Sequence, residues 1–158
     1  RANALFSQQA VVTTWNGQPA LMLRVANRRG NDVVEAAMRV SVLRSEVTPE
    51  GHTMRRLLDL PLMRERSPVF TMSWTAIHVI DEASPLFGID SAAFSDNQMM
   101  LIVTLTGFDG TYMQTVHAQH AYHADEMRWG HRFADVMSFE PDGTTVLDFT
   151  GFHETIPE

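Results

Sequence analysis

Turn-forming sequences recur along this chain and divide it into short apolar runs, and this spacing limits the possible folds more than any other feature. Asn-Gly at residues 16–17 joins apolar runs at residues 5–14 and 20–26, while Asp-Gly at 109–110 and Pro-Asp-Gly at 141–143 join two further pairs. These sequences favour the backbone angles of tight hairpin turns. Because the runs also lack a helical period, the chain is predicted to be all-β: an immunoglobulin-like antiparallel β-sandwich with at most one or two short helical turns.

Alternation within one run predicts a strand with a single buried face. Between residues 33 and 44, apolar side chains alternate with Glu35, Arg39 and Ser41, which is the period of two that a half-buried strand requires. The apolar members of this alternation are Val34, Ala36, Met38, Val40 and Val42.

The middle of the chain predicts an edge strand, a central strand and a helical turn. Residues 54–63 contain two arginines and Pro61, which favours a strand at a sheet edge. Residues 69–80, with Trp74 in their middle, are rich in β-branched and aromatic side chains and predict a central strand. Asp90 is placed to cap a single short helical turn.

Two hairpins are predicted in the second half. The first joins a strand at residues 99–106 to one at 111–122 through a turn at 107–110. The second joins residues 132–139 to 144–149 through Glu-Pro-Asp-Gly.

Length and composition restrict the class of protein. A chain of 158 residues suits one domain, which buries roughly two-thirds of its unfolded surface. Cysteine is absent, which excludes disulfides and thiolate chemistry, and all 12 basic residues are arginines against 19 acids, for a net charge of −7. Such a chain is a poor ligand for polyanions, so no nucleic-acid partner is expected. Its apolar runs are far shorter than the roughly 20 residues that cross a bilayer, so we expect a soluble piece.

Three histidines close together suggest a metal site, which we weigh as an alternative. His117, His120 and His123 lie within the sequence HAQHAYH. On a strand His117 and His120 point to opposite faces, which disfavours common ligation. A metal-dependent β-sandwich or cupin-like enzyme using this cluster is therefore the alternative function, and no metal is the expectation.

The segment HVIDEASPLFGI, residues 78–89, predicts a packed corner at the end of a strand. Pro85 and Gly88 bend the chain, and Leu86 and Phe87 are apolar side chains that require burial. His78 with the adjacent acids could be drawn as an acid–base set, but adjacent residues on extended chain diverge. A structural corner is favoured.

This corner and four other ordered stretches closely resemble the cytoplasmic C-terminal domain of inward rectifier potassium channels, with the prokaryotic branch as the best fit. The other stretches are LFSQQAVV, NGQPALMLRVANRR, EMRWGHRF and DFTGFHET. The resemblance extends over essentially all of residues 1–158 and implies one cytoplasmic regulatory domain of the immunoglobulin-like fold. It implies no catalysis and no cofactor.

The resemblance also implies an assembly. Four identical chains would form a homotetramer with potassium ions along its fourfold axis, at the inner face of a membrane, in a channel of the voltage-gated class. The channel's own transmembrane pore domain would precede this piece, and rocking or rotation of the four domains would gate that pore. An immunoglobulin-like adhesion or chaperone module is a further rival.

By the same resemblance, particular residues line the ion path. Glu35 matches an acid that lines the vestibule and attracts magnesium and polyamines, and Thr106 stands where strong rectifiers carry a second acid. An acidic pair expected before residue 69 is replaced by Arg64, Glu65 and Arg66. The hairpin tip at residues 107–115 matches the narrowest cytoplasmic constriction, which we assign to Gly107, Phe108, Asp109, Gly110, Thr111, Tyr112 and Met113.

Two arginines are candidates for binding anionic lipid head groups. Arg28 and Arg29 match a loop that approaches the membrane, and the forked guanidinium donors suit phosphate. Gly30 stands where many animal members of the family carry lysine, so the two arginines are weak candidates, and solvated loop charges are the alternative interpretation.

Overall fold

Strand pairing within residues 4–28 and 30–158, the part of the chain that this computed structural model describes, produces two five-stranded sheets. In chain order their strands are β1 (Ala4–Phe6), β2 (Ala10–Trp15), β3 (Gln18–Asn27), β4 (Val33–Val47), β5 (Thr53–Asp59), β6 (Arg66–Phe70), β7 (Ser73–Val79), β8 (Met100–Asp109), β9 (Gln114–Tyr122) and β10 (Met127–Trp129). The first sheet has the order β1-β3-β2-β10 with β7 also on β3, and the second has the order β5-β4-β8-β9 with β6 also on β4. The predicted all-β sandwich is confirmed, although β2 and β10 pair in parallel.

Shorter elements complete the described chain. The helix α1 (Ser91–Asp96) begins after Asp90, whose side chain accepts a hydrogen bond from the Ala93 N–H at 2.8 Å, as predicted. Single 3-10 turns lie at Ala124–Glu126 and Phe149–Gly151. Near the C-terminus, β11 (His131–Phe133) pairs with β14 (Thr155–Pro157), and β12 (Met137–Phe139) pairs with β13 (Thr145–Leu147). This last pair forms the predicted hairpin around Glu-Pro-Asp-Gly, but the strand predicted over residues 132–139 is wrong in extent, because the run is split between β11 and β12 and only β12 belongs to the hairpin. None of the helices in the described ranges is long and apolar enough to pass through a bilayer.

The core lies between the two sheets. One buried cluster contains side chains from β3, β4 and β8, and each of the following is at most 3% exposed: Leu21, Leu23, Val25, Met38, Val40, Val42, Leu101, Val103 and Leu105. Full burial of one such side chain contributes roughly 1.5–3 kcal/mol. The inward alternation of period two is what gives each strand its single apolar face.

The first predicted hairpin is confirmed in detail. β2 and β3 join through Asn16 and Gly17, whose φ angles are +50° and +77°. Both central residues are left-handed, as the tight turn that matches strand twist requires. The preceding run, predicted to extend over residues 5–14, is instead split into β1 and β2, and the buried hydroxyl of Ser7 lies in the break.

The run at residues 69–80 was predicted to be one central strand, and that prediction is wrong. The chain forms β6 in one sheet, crosses at residues 71–72 and forms β7 at the edge of the other. Phe70 and Trp74 flank the crossing, are both buried, and meet edge to face with ring centroids 6.1 Å apart. Both strands contribute side chains to the same core, so the sequence stays apolar through the residues where the backbone changes sheet. The predicted edge position of the preceding strand, β5, is confirmed.

The corner at residues 78–89 is packed around a buried histidine. His78 Nδ1 lies 2.6 Å from the Pro61 carbonyl oxygen and Nε2 lies 2.7 Å from Ser84 Oγ. Leu86 is buried as predicted, whereas Phe87 is 56% exposed in this chain. The expectation that both apolar residues bury is therefore right only for Leu86.

The C-terminal segment, residues 131–158, covers the outer face of the first sheet. Arg24 on β3 points to that face and is 6% exposed. Its Nε and Nη2 donate to the Phe152 carbonyl at 3.0 and 2.8 Å, and its Nη1 donates to the Ala134 carbonyl at 2.8 Å. The guanidinium also lies over the Phe133 ring at 4.4 Å. Burial lowers the pKa of Arg24 to about 10, and the group remains a cation at neutral pH.

Candidate functional site

Glu35 lies on a β-bulge. Against β8, Val34 is opposite Phe108 and Ala37 is opposite Thr106, so two residues of β4, Glu35 and Ala36, face the single residue between them on β8. Glu35 has φ of +49° and an exposed side chain. A non-glycine residue with this backbone conformation is uncommon, and bulges of this kind redirect a side chain.

The bulge changes the buried face that the alternation predicted. Val33 is buried and Val34 is only half-buried, whereas Ala36 and the later members of the series are buried as predicted. The prediction of Val34 as a core residue is wrong, because the extra residue shifts the phase between Val33 and Ala36. In the sequence the alternation of Val34, Ala36 and Met38 is unbroken, so no local signal marks the bulge.

On the other side of β4, strand β6 has a proline opposite Glu35. Val34 pairs with Val69 and Ala36 pairs with Ser67 on β6, so Pro68 lies opposite Glu35. Proline has no backbone N–H to donate, which suits a position opposite an irregular residue.

Thr106 and two arginine side chains, Arg66 and Arg39, share the exposed face next to the bulge. Ala37 lies directly opposite Thr106 on β8 and Arg66 on β6, and Thr106 lies opposite His117 on β9. Directly opposite residues have side chains on the same face of a sheet. Arg39, two residues further along β4, forms an exposed ion pair with Asp59 at 3.2 Å. The face that carries Glu35 is therefore of mixed charge.

The predicted hairpin tip is present, but its turn lies further along the chain than predicted. Gly107, Phe108 and Asp109 belong to β8, and the turn is formed by Gly110, Thr111, Tyr112 and Met113. The Asp109 carboxylate accepts hydrogen bonds from the Thr111 N–H at 2.9 Å and the Tyr112 N–H at 3.1 Å. These bonds satisfy the turn backbone, so the strand continues to Asp109.

The tip presents large side chains to its surroundings. Tyr112 is 60% exposed and Met113 is 70% exposed, and Met113 has φ of +55°. Neither Gly107 nor Gly110 has a positive φ, and the left-handed residue of this turn is Met113, one of the residues assigned to the constriction.

The two lipid candidates are only partly described. Arg28 is exposed and follows the end of β3. Arg29 lies outside the described residues. The amide of Asn27 next to them donates to the Asn31 carbonyl at 2.8 Å and so closes the connection to β4.

The three clustered histidines do not converge. His117 is exposed on the outer face of β9, His120 stacks on Phe6 with ring centroids 5.6 Å apart, and His123 precedes a 3-10 turn. Burial lowers the pKa of His120. Within residues 4–28 and 30–158 no three His, Cys, Asp or Glu side chains are grouped to hold a metal ion. Nothing here supports the metal-dependent enzyme.

The acid–base set drawn around residue 78 does not form either. Both ring nitrogens of His78 are engaged by Pro61 and Ser84, and burial lowers its pKa. The Asp81 carboxylate instead accepts a hydrogen bond from the Ala83 N–H at 3.0 Å. The corner is a structural element.

Comparison with known proteins assigns the whole arrangement to one family. The model of the inward rectifier potassium channel C-terminal domain matches residues 4–157. The chain is 42% identical over 153 residues to inward rectifier potassium channel Kirbac3.1 of Paramagnetospirillum magnetotacticum, covering 97% of this chain and 52% of that protein. It is 36% identical over 155 residues to human ATP-sensitive inward rectifier potassium channel 12, covering 96% of this chain and 36% of that protein. The chain thus spans about half the length of the bacterial relative and about a third of the human one.

These relatives are ion channels and not enzymes. The expectation of a voltage-gated class is wrong, because the matched proteins are inward rectifiers, which are not voltage-gated. The expected resemblance itself, including its prokaryotic character, is confirmed. From its sequence, its fold and these relatives, the chain belongs to the inward rectifier potassium channel C-terminal domain family.

Proposed function

We propose that residues 1–158 form one cytoplasmic regulatory domain of a tetrameric inward rectifier potassium channel. Four copies surround a fourfold axis, extend the ion pathway beyond the channel's own transmembrane pore domain, and gate that pore. The observation that carries this proposal is the placement of Glu35 and Thr106 on the paired strands β4 and β8, with the tip at residues 110–113 directly after β8. Glu35 and the tip are exposed in the single chain, as residues that face a central axis must be.

Glu35 supplies the negative charge of the vestibule. Four carboxylates around one axis raise the local concentration of potassium ions and attract magnesium and polyamines. Thr106 adds no charge where strong rectifiers carry an acid, and Arg66 lies opposite Ala37 on the same face. We infer that block by magnesium or polyamines is weak in this channel.

The tip forms the cytoplasmic constriction. Tyr112 and Met113 are both more than half exposed and stand at the end of a hairpin whose backbone is held by Asp109. Four such tips on one axis narrow the path with aromatic and apolar side chains, which can close a pore by dewetting.

Movement of the whole domain couples this constriction to the membrane pore. The sandwich has one continuous core between its sheets, so each copy moves as a rigid body. Arg28, exposed at the end of β3, is the described candidate for contact with anionic lipid head groups, and Arg29 is the second candidate.

Charge reversal tests the vestibule role. In the complete channel, Glu35→Arg places four cations where four anions stood, so we expect a lower potassium conductance and weaker block by cytoplasmic magnesium. The matched control is Glu50→Arg, which makes the same charge change at an exposed turn between β4 and β5. Equal currents and equal block in both variants would contradict the proposal.

A further inference from the structure

The residue opposite the bulge of Glu35 is Gly107, and space at this glycine is restricted. A Cβ atom added to Gly107 would lie 2.5 Å from Val33 Cγ1. It would also lie 3.3 Å from Ala36 Cα and 3.3 Å from the Val34 carbonyl oxygen. These atoms belong to the bulged segment of β4, on both sides of Glu35. Any residue larger than glycine therefore displaces the segment that carries the acid.

Backbone conformation does not explain the glycine. Gly107 has no positive φ, so an alanine could adopt its backbone angles without strain. Gly110 in the same hairpin provides the contrast, because a Cβ there would meet Val34 Cγ1 at an ordinary contact distance of 3.8 Å. Gly107 is needed for close approach, and Gly110 is not.

We propose that Gly107 is a positioning residue for Glu35. Its missing side chain lets β8 approach the bulge, and this contact holds Glu35 in its left-handed conformation with the carboxylate on the exposed face. The start of the hairpin that ends in the tip is thereby fixed to the acid of the vestibule. The functional part of this inference rests on the proposed role of Glu35 in the ion pathway, whereas the structural part does not.

The structural part is tested on this chain alone by two-dimensional amide NMR. We expect Gly107→Ala to shift the amide signals of Glu35 and Ala36 well beyond the shifts caused by Gly110→Ala. If these two signals stay in place in Gly107→Ala, the inference is overturned whatever the channel does.

The functional part is tested in the complete channel by block with cytoplasmic magnesium. We expect Gly107→Ala to weaken block by about fivefold, and the double variant with Glu35→Gln to be within about twofold of Glu35→Gln alone, because residues that act through one contact are not additive. Gly151→Ala lies outside the proposed ion path, and an added Cβ there meets only ordinary contacts of 3.6 Å, so this control variant is expected to retain the original block. A purely structural role for Gly107 would make the two effects additive and would overturn the inference.

These experiments distinguish a failure of the vestibule role of Glu35 from a failure of the positioning role of Gly107. If Glu35→Gln leaves block unchanged, the vestibule role fails, and the NMR comparison still decides whether Gly107 positions Glu35. If Glu35→Gln weakens block while Gly107→Ala does not, the vestibule role stands and the inference fails.

A size exchange covers the case in which Gly107→Ala does not fold. Val33→Ala removes the methyl group at 2.5 Å, so the pair Val33→Ala with Gly107→Ala is expected to fold and to return the Glu35 amide signal toward its original position. If that pair also fails to fold while Val33→Ala alone folds, the assigned contact is wrong.

Discussion

Arg24 is predicted to hold the C-terminal segment against the first sheet, and Arg24→Met removes that hold. The guanidinium donates to the Phe152 and Ala134 carbonyls at 2.8–3.0 Å and is 6% exposed. Methionine fills a similar volume but has no hydrogen-bond donor, so the Phe152 and Ala134 carbonyls each lose a charged partner. Hydrogen bonds to charged groups contribute about 1.5–3 kcal/mol each, and the cost of burying the cation, visible in its lowered pKa, offsets part of that sum.

We expect Arg24→Met to lower the free energy of unfolding by about 3 kcal/mol, since three charge-assisted hydrogen bonds to two carbonyls are lost and the desolvation cost of the buried cation is relieved. For a domain of this size that loss lowers Tm by about 6–12 °C. Thermal denaturation followed by circular dichroism measures it. Hydrogen exchange should increase first at the Asp148 and Phe152 amides, whose acceptors Val136 and Phe149 belong to the same segment.

The control for this prediction is Arg39→Met on β4. Arg39 makes an ion pair with Asp59 that leaves both side chains mostly exposed, and such pairs contribute about 1 kcal/mol or less. If Arg24→Met is as stable as Arg39→Met, the buried arginine does not anchor the segment and the reasoning is refuted.

Three further predictions follow from individual side chains. Burial lowers the pKa of His78, His120 and His153 below the ordinary value of 6.5, so the unfolded chain binds more protons and stability should fall as pH drops below about 6.5; urea titrations from pH 7 to 5 that gave a constant free energy of unfolding would contradict this, and His78→Asn should reduce the dependence on pH. Asp109→Ala should cost about 1 kcal/mol through loss of its bonds to the turn, whereas Asp109→Asn keeps an acceptor and should cost less, a ranking that chemical denaturation can reverse or support. Thr106→Glu places a second carboxylate on the exposed face next to the bulge, so in the complete channel it should strengthen magnesium block, and unchanged block would place that face away from the ions.

Local chemistry explains the parts of the fold that the sequence predicted. Asn16 and Gly17 define their turn by their own backbone preferences, and Asp90 caps α1 through an amide three residues away. Pro61 and the two arginines before it indicated a sheet edge, where β5 lies. Each of these signals acts within a few residues, so a single sequence contains it.

The parts that were not predicted depend on distant neighbours. Phe70 and Trp74 are apolar whether they lie in one sheet or two, so their sequence does not mark the crossing. The role of Gly107 depends on Val33, which is far from it in the chain and meets it only when β4 and β8 pair. The bulge at Glu35 leaves the alternation of Val34, Ala36 and Met38 intact, so the sequence does not mark it. The bulge becomes apparent only when β4 pairs with β8.

The most direct test of the central claim is a cryo-electron microscopy structure of the complete channel. We predict that the turns at residues 110–113 of four subunits converge on one axis, with the four Glu35 carboxylates facing the same water-filled path. Turns that lie at the outer perimeter of the assembly, or Glu35 side chains buried between subunits away from the axis, would contradict the account.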